Sequence, residues 1–334
     1  MAAVISASVL DQAPIRAGIS AADAIREVTD LARHAEQLGY RRFWIAEHHA
    51  LGALASTAPE VLIGHVANQT QRIRVGSGGM LLPNHRPLHV AETFGVLGAL
   101  YPGRIDLGVG RAEGTLDKAI VKALQRPAQT SHDDGYPEQV DQLLAFAGIR
   151  TLPHAHPLQS VRATPQIDPF PPVFLLGSST GSAATAAARN LGYGFAAYTN
   201  PEQMAPAIRH YKQTAQTPRA ILGLKLIVGE NDEHAEALAG SFRLASAQAR
   251  TGNPQPLQEI ETVQQHKWTT QELEQDALQS TAADAVGGPE TVSAKLDQLI
   301  EQTGADELII TTNVFDPAER FASFKRLAEL LGLP

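Results

Sequence analysis

Eight short apolar segments recur along this 334-residue chain, and a stretch with helical periodicity follows nearly every one. The segments are apolar throughout rather than alternating, as expected for strands of a parallel sheet whose two faces are both covered. The predicted strands are Val4 to Leu10, Phe43 to Ala46, Arg74 to Met80, Ile105 to Val109, Val173 to Leu176, Phe195 to Tyr198, Ile221 to Val228 and Glu307 to Thr311. Eight βα units in a chain of this length predict a (β/α)8 TIM barrel.

A barrel with insertions in its βα loops accounts for residues 1–334 as a single domain. Residues 150–171 are rich in Pro, His and Gln, and residues 250–285 carry many Gln, Thr and Asp, so both are interpreted as insertions. A doubly wound open sheet is the alternative architecture. Such a sheet usually has a G-x-G-x-x-G turn after its first strand, whereas this turn reads Leu10-Asp11-Gln12-Ala13-Pro14.

Charge and composition exclude several classes of partner. The net charge is −8 and no cluster of Lys and Arg interrupts it, which argues against nucleic acid. The chain has no cysteine, so disulfides and thiolate chemistry are excluded, which fits a reducing compartment. Met1 to Ile5 has no basic region before an apolar stretch, and no apolar run is long enough to span a membrane. We therefore expect a cytoplasmic protein.

The second predicted strand ends in Glu47-His48-His49. Titratable groups at the carboxyl end of a buried parallel strand lie where barrels keep their chemistry. Neighbours on a strand point to opposite faces, so one histidine is expected to face the barrel mouth as an acid/base or a hydrogen-bond donor. The alternative is two histidines whose hydrogen bonds are satisfied locally. No metal site is predicted, because a competent site needs three or more converging ligands.

Two further strand ends are rich in small residues. Gly76-Ser77-Gly78-Gly79 permits a close approach by a flat ligand, although a bulge or tight turn is the simpler interpretation. Gly177-Ser178-Ser179-Thr180 precedes a predicted helix, where backbone N–H groups and hydroxyls favour a phosphate over simple N-capping. Arg111 follows the fourth strand and is a candidate phosphate ligand, with a surface salt bridge to Glu113 as the alternative.

Together these motifs resemble the bacterial-luciferase-like family of flavin-dependent monooxygenases. The resemblance is dense over residues 4–200 and thins over the C-terminal third. The matching segments are Leu38 to His49, Arg74 to Pro83, Pro87 to Glu92, Leu100 to Arg111 and Leu175 to Ser179. Each motif is modest, but their order and spacing are specific.

The resemblance implies reduced FMN bound at the carboxyl face of the barrel. By motif position His48 would lie near the flavin ring as the acid/base residue. Gly78 and Gly79 would form a non-prolyl cis peptide against that ring. Ser178 and Arg111 would hold the phosphate, with Gly177 and Ser179 in the same loop.

The implied activity is oxygenation of a small organic substrate by reduced FMN and O2, with the reduced flavin arriving by diffusion from a separate reductase. A nicotinamide site would show as a glycine-rich turn and an acidic ribose ligand, and neither is present. Relatives pair through helices that correspond to residues 59–70 and 88–100 here, which implies a homodimer. Small residues in both segments would allow close helix packing.

Three other functions stay open. The first is hydride transfer with a deazaflavin on the same fold, and the second is flavin binding without catalysis. The third is a phosphate-sugar aldolase or isomerase, which the absence of any lysine before Lys118 disfavours.

Overall fold

The computed structural model describes residues 5–115, 117–124 and 135–334, and within them the backbone forms nine strands. The strands are β1 Ser6–Asp11, β2 Arg42–Ile45, β3 Arg74–Leu81, β4 Ile105–Gly110, β5 Val173–Gly177, β6 Gly192–Ala196, β7 Ala220–Val228, β8 Ala285–Gly287 and β9 Glu307–Thr311. Val4, the expected start of the first strand, lies outside the described residues, as do the three residues before it.

Eight of these strands close into a parallel barrel. Strands β1 to β6 pair in sequence order, β6 pairs with β7, and β9 lies between β7 and β1. The short β8 pairs with the second half of β7 and lies outside the ring. The predicted (β/α)8 barrel is therefore confirmed, and the open doubly wound sheet is excluded because its two edges would not pair.

Twelve α-helices lie within the described residues, and helices connect the consecutive strands of the barrel. They are α1 Ala21–Gln37, α2 Pro59–Gln69, α3 Pro87–Leu100, α4 Lys118–Leu124, α5 Tyr136–Phe146, α6 Thr180–Ala188, α7 Met204–Thr214, α8 Asp232–Arg250, α9 Ile260–Gln265, α10 Thr270–Gln279, α11 Pro289–Thr303 and α12 Pro317–Leu331. None of the helices in the described ranges is long and apolar enough to cross a membrane.

Strand β6 begins three residues before the predicted start and ends two residues before the predicted end. Its sequence alternates Gly192, Tyr193 and Gly194, and glycine weakens a strand prediction. The structure needs these glycines. A Cβ at Gly192 would lie 2.2 Å from the Phe174 ring, and one at Gly194 would lie 2.6 Å from Leu176. Tertiary packing thus overrides local propensity.

The segment 250–285 has more regular structure than expected. It contains α9 and α10, and its last residue starts β8. Thr269 begins α10 with a capping box in which its hydroxyl accepts from the Glu272 N–H and the Glu272 carboxylate accepts from the Thr269 N–H. The insertion packs α10 against α8, and the carbonyl oxygen of Gln279, the last residue of α10, accepts from Lys225 on β7.

Buried charges cross-link the amino ends of the strands. Arg42 donates to Asp106 at 2.6 Å and to Glu307 at 2.8 Å, and the indole N–H of Trp44 also donates to Asp106. Arg42 and Asp106 are almost fully buried. Because this network closes one end of the barrel, the space for a ligand is at the carboxyl end.

Candidate functional site

A cavity of about 640 Å³ occupies the carboxyl end of the barrel. All seven residues that the sequence singled out line it. These are His48, Gly78, Gly79, Arg111, Gly177, Ser178 and Ser179. Apolar side chains that include Leu10, Trp44, Leu176, Phe195 and Ile309 form much of the remaining wall. Such a pocket, apolar with a few convergent polar groups, is typical of a cofactor or small-molecule site.

His48 follows β2 and lines the cavity, whereas His49 is not among the lining residues. The Nδ1 of His48 is buried and has no hydrogen-bond partner among the described residues. Burial lowers the pKa of His48 to about 4; the Glu47 carboxylate opposes this shift and His49 adds to it. The imidazole is therefore neutral at neutral pH and can both donate and accept a hydrogen bond toward the cavity.

Glu47 organises the loops beside His48, a role that the sequence interpretation did not assign. Its buried carboxylate accepts from the backbone N–H of Leu81 at 2.8 Å and lies 2.9 Å from the Nε2 atoms of His49 and His85. Burial raises the pKa of Glu47, but the hydrogen bonds from these three groups outweigh it and hold the pKa below its ordinary value. The sequence feature that could have indicated this role is an acidic residue directly before two histidines.

The Gly78–Gly79 peptide bond is cis, as the resemblance implied. A Cβ at Gly78 would lie 2.6 Å from Leu10, and a Cβ at Gly79 would lie 2.9 Å from the carbonyl oxygen of Gly108. Side chains are thus excluded at both positions, and bare backbone forms this wall of the cavity. A flat ring system can approach such a wall more closely than one that carries side chains.

The loop between β5 and α6 contributes two serines with different roles. Ser179 is the N-cap of α6, and its hydroxyl accepts from the N–H of Ser182 at 3.2 Å. The hydroxyl of Ser178 makes no hydrogen bond to any described residue, although Ser178 lines the cavity. The N–H groups in the first turn of a helix also have no intrahelical acceptor. This edge of the cavity therefore presents donors suited to an anion.

Arg111 lies just after β4 on the same cavity and is exposed. A guanidinium near a helix N-terminus adds positive charge to an edge that already favours an anion. Across residues 5–115, 117–124 and 135–334, no group of three or more His, Cys, Asp or Glu side chains is arranged to hold a metal ion.

A closed (β/α)8 barrel with a polar-edged cavity at its carboxyl end defines this protein as a member of a barrel-enzyme class. Within that class, the chain matches the sequence model of the family described as luciferase-like monooxygenase over residues 5–307. A luciferase-like monooxygenase of Escherichia coli (strain K12) is 37% identical over 342 residues, which span 98% of each chain. The chain belongs to the luciferase-like monooxygenase family, and the resemblance inferred from the motifs is confirmed.

Solved structures agree with this assignment. The structure of apo-MsnO8 matches with a TM-score of 0.88 and 34% identity over 99% of each chain. A Type II Baeyer-Villiger monooxygenase from Pseudomonas putida in complex with FMN matches with a TM-score of 0.70 and 18% identity over 97% of each chain. An F420-dependent secondary alcohol dehydrogenase matches with a TM-score of 0.67 and 15% identity, over 98% of this chain and 99% of that one. The last two likenesses show the fold alone.

The names of some relatives include a substrate. The N-acetyl-S-alkylcysteine monooxygenase of Bacillus subtilis (strain 168) is 41% identical over 204 residues, which cover 60% of this chain and 59% of that protein.

Proposed function

We propose that this protein is an FMN-dependent monooxygenase that uses reduced FMN and O2 to oxygenate a small organic substrate. The observation that carries the proposal is a single cavity that joins a buried, unpartnered imidazole nitrogen of His48 to the bare Gly78–Gly79 wall and the Ser178 anion edge. The whole chain, residues 1–334, serves as one domain in this proposal.

The cavity residues fit FMN. The Gly78–Gly79 backbone offers a flat surface for the isoalloxazine ring, since any Cβ there would collide with Leu10 or Gly108. The Ser178 hydroxyl, the first turn of α6 and Arg111 form an anion site that suits the phosphate. The reduced cofactor, when bound, supplies the electrons that activate O2.

In this proposal His48 acts as the acid/base residue. With a pKa of about 4 it is neutral at pH 7, so it can accept a proton at one ring nitrogen while it donates one from the other. The apolar wall around it, including Trp44 and Phe195, excludes water from the reacting atoms. Glu47 does not line the cavity. It acts on His48 by holding the neighbouring loops in place and through the electrostatic effect of its negative charge.

The partners follow from the same chemistry. We infer that a separate flavin reductase delivers reduced FMN by diffusion, and that both proteins therefore share the cytoplasm. We also infer a homodimer formed through α2 and α3. On these helices Val61, Val96 and Leu100 are 67%, 45% and 63% exposed, so both helices present apolar side chains to a partner.

Two measurements test the proposed function. Titration with FMN, riboflavin and a deazaflavin, followed by absorbance and fluorescence, is expected to show tightest binding for FMN. Chemically reduced FMN, protein and ¹⁸O2 are then supplied with small organic substrates, among them N-acetyl-S-alkylcysteines. One ¹⁸O atom is expected in the product. Tighter binding of the deazaflavin, with hydride transfer and no labelled product, would replace the monooxygenase by an F420-type oxidoreductase.

The role of His48 is tested in the same assay. His48→Ala is expected to bind FMN but to form labelled product about a hundredfold more slowly. His49→Ala serves as the matched control and should keep most of the activity, because His49 does not line the cavity.

A further inference from the structure

A second cavity of about 290 Å³ lies farther along β7 and β9 than the first. On β7, Gly223 lines the first cavity and Lys225 lines the second. On β9, Ile309 lines the first cavity and Thr311 lines the second. Residues two apart on a strand face the same side, and the β7–β9 register pairs Gly223 with Ile309 and Lys225 with Thr311. The second cavity is therefore the next layer on the same wall.

Lys225 offers unused hydrogen-bond donors to this second cavity. Its ammonium donates to the carbonyl oxygen of Gln279 at 2.8 Å and lies 3.9 Å from the Asp284 carboxylate, beyond hydrogen-bond distance. Within the described residues these are its polar partners, so two of three N–H donors have no acceptor. Burial lowers the pKa of Lys225, and Asp284 opposes this shift. An anionic acceptor in the cavity would compensate the buried charge.

Asn313 offers an unused acceptor to the same cavity. The residue is 4% exposed, and its amide nitrogen donates to the side-chain oxygen of Gln12. Its Oδ1 is buried and has no partner among the described residues. Buried amide oxygens are nearly always hydrogen-bonded, so this atom is suited to a donor that the ligand brings.

Of the other charges that line the cavity, Glu236 pairs with Arg243, and Asp284 lies beside Lys225. The rest of the wall mixes apolar side chains with hydroxyl and amide groups. Arg243 donates to the carboxylates of Asp276 at 2.6 Å and Glu236 at 3.1 Å, whereas Lys225 has no carboxylate of the described residues within hydrogen-bond distance. The apolar part of the wall consists of Ile227, Ala239, Phe242 and Val286.

We propose that the second cavity binds the monooxygenase substrate, and that this substrate is an organic carboxylic acid with an N–H group, as in an N-acyl amino acid. The carboxylate pairs with Lys225, the N–H donates to Asn313, and the apolar part packs on Phe242 and its neighbours. This assignment rests on the proposed function, because the first cavity would hold the cofactor.

Calorimetric titration tests the assignment with three probes, both on the protein alone and on the protein saturated with oxidised FMN. The probes are N-acetylleucine, its methyl ester, which lacks the charge, and N-acetyl-N-methylleucine, which lacks the N–H. The acid is expected to bind about tenfold or more tightly than the ester, since a hydrogen bond to a charged group contributes about 1.5–3 kcal/mol. It should also bind more tightly than the N-methyl compound.

Variants assign each preference to a residue. Lys225→Met should bind acid and ester equally, and Asn313→Leu should bind N–H and N-methyl compounds equally. Lys212→Met is the matched control. Lys212 on α7 also donates to a carbonyl, that of Gly304, and to a carboxylate, that of Asp306, but it does not line the second cavity. It should keep both preferences. Unfolding in urea checks that each variant is folded.

Equal binding of acid and ester by the unaltered protein would overturn the assignment, as would no binding of any probe or a preference that survives Lys225→Met. These results are independent of the proposed function. If the acid preference depends on Lys225 but FMN does not bind, the acid site stands and the monooxygenase proposal fails.

Discussion

The Oε2 atom of Glu47 lies 2.9 Å from the Nε2 atom of His85, which comes from the loop after β3. This contact joins the ends of β2 and β3, the two strands that carry His48 and Gly78–Gly79. The buried Glu47 carboxylate has four N–H donors, from His49, Leu81, Asn84 and His85, and is a positioning group. It fixes the loop beside the cavity without lining the cavity itself.

Replacement of that carboxylate should destabilise the protein. Glu47→Gln weakens the hydrogen bonds from His49, His85 and Leu81, and the expected loss is about 2 kcal/mol in the free energy of unfolding. Urea denaturation at pH 7 measures it. Glu301→Gln, at an exposed position on α11, is the control and should change stability by less than about 0.5 kcal/mol. If the Glu47→Gln protein were as stable as this control, the proposed structural role of Glu47 would be wrong.

His48 should make the protein acid-sensitive. The pKa of His48 is about 4 in the folded protein, against an ordinary value of 6.5 that applies to the unfolded chain. Between these two pH values the unfolded chain binds a proton that the folded chain does not. The free energy of unfolding therefore falls as the pH is lowered from 6.5 to 4, by about 3 kcal/mol at 1.36 kcal/mol per pKa unit. His48→Gln should flatten this dependence, whereas His210→Gln, exposed on α7, should leave it unchanged.

The lowered pKa of Glu47 adds a second acid transition. The stabilisation that it contributes is present above its ordinary pKa of 4.5 and is lost as the pH falls through the lower folded value. This loss therefore occurs at a lower pH than that of His48. Urea denaturation of His48→Gln between pH 5 and 3 should still show it.

Ser178 and Ser179 should separate binding from stability. Ser178→Ala removes a hydroxyl that has no partner in the part of the chain that the structure describes. We therefore expect FMN binding about tenfold weaker, with unchanged stability. Ser179→Ala removes the N-cap of α6 and should lower the free energy of unfolding by about 1 kcal/mol. Fluorescence titration and thermal unfolding distinguish them. If Ser178→Ala bound FMN normally, the phosphate would have to lie elsewhere.

Arg111→Ala tests the other phosphate ligand. A charge-assisted contact contributes about 1.5–3 kcal/mol, so this variant should weaken FMN binding by tenfold or more. Riboflavin has no phosphate, and its affinity should hardly change. Parallel titrations of both flavins measure the two losses. Equal losses would show that Arg111 does not contact the phosphate.

The proposed dimer predicts a mass near twice the 35.7 kDa of one chain in light scattering at micromolar concentration. Leu100→Lys on α3 should shift the equilibrium to the monomer, because a desolvated ammonium in an apolar interface is unfavourable. Leu278→Lys on α10 changes a side chain that is 70% exposed, outside the proposed interface. It should leave the mass unchanged. A monomeric unaltered protein would refute the dimer.

Local sequence signals were sufficient for the barrel, and they directed attention to the ends of its strands. Continuous apolar runs and helix signals depend on neighbours in the chain, and strand ends converge once a parallel barrel closes. Convergence of the strand ends explains why His48, Gly78, Gly79, Arg111 and Ser178 line one cavity. Their roles toward a flavin came from the family resemblance and stay predictions.

Only the tertiary structure decided how polar groups are shared among distant segments. Glu47 meets His85 across 38 positions, and Asn313 meets Gln12 across 301. It also decided that Ser179 is the helix cap while Ser178 stays available, and that Lys225 and Asn313 line one cavity. The sequence determines which side chains exist and which secondary structure each segment favours. Closure of the barrel determines which hydrogen bonds are satisfied internally and which donors and acceptors are left for a ligand.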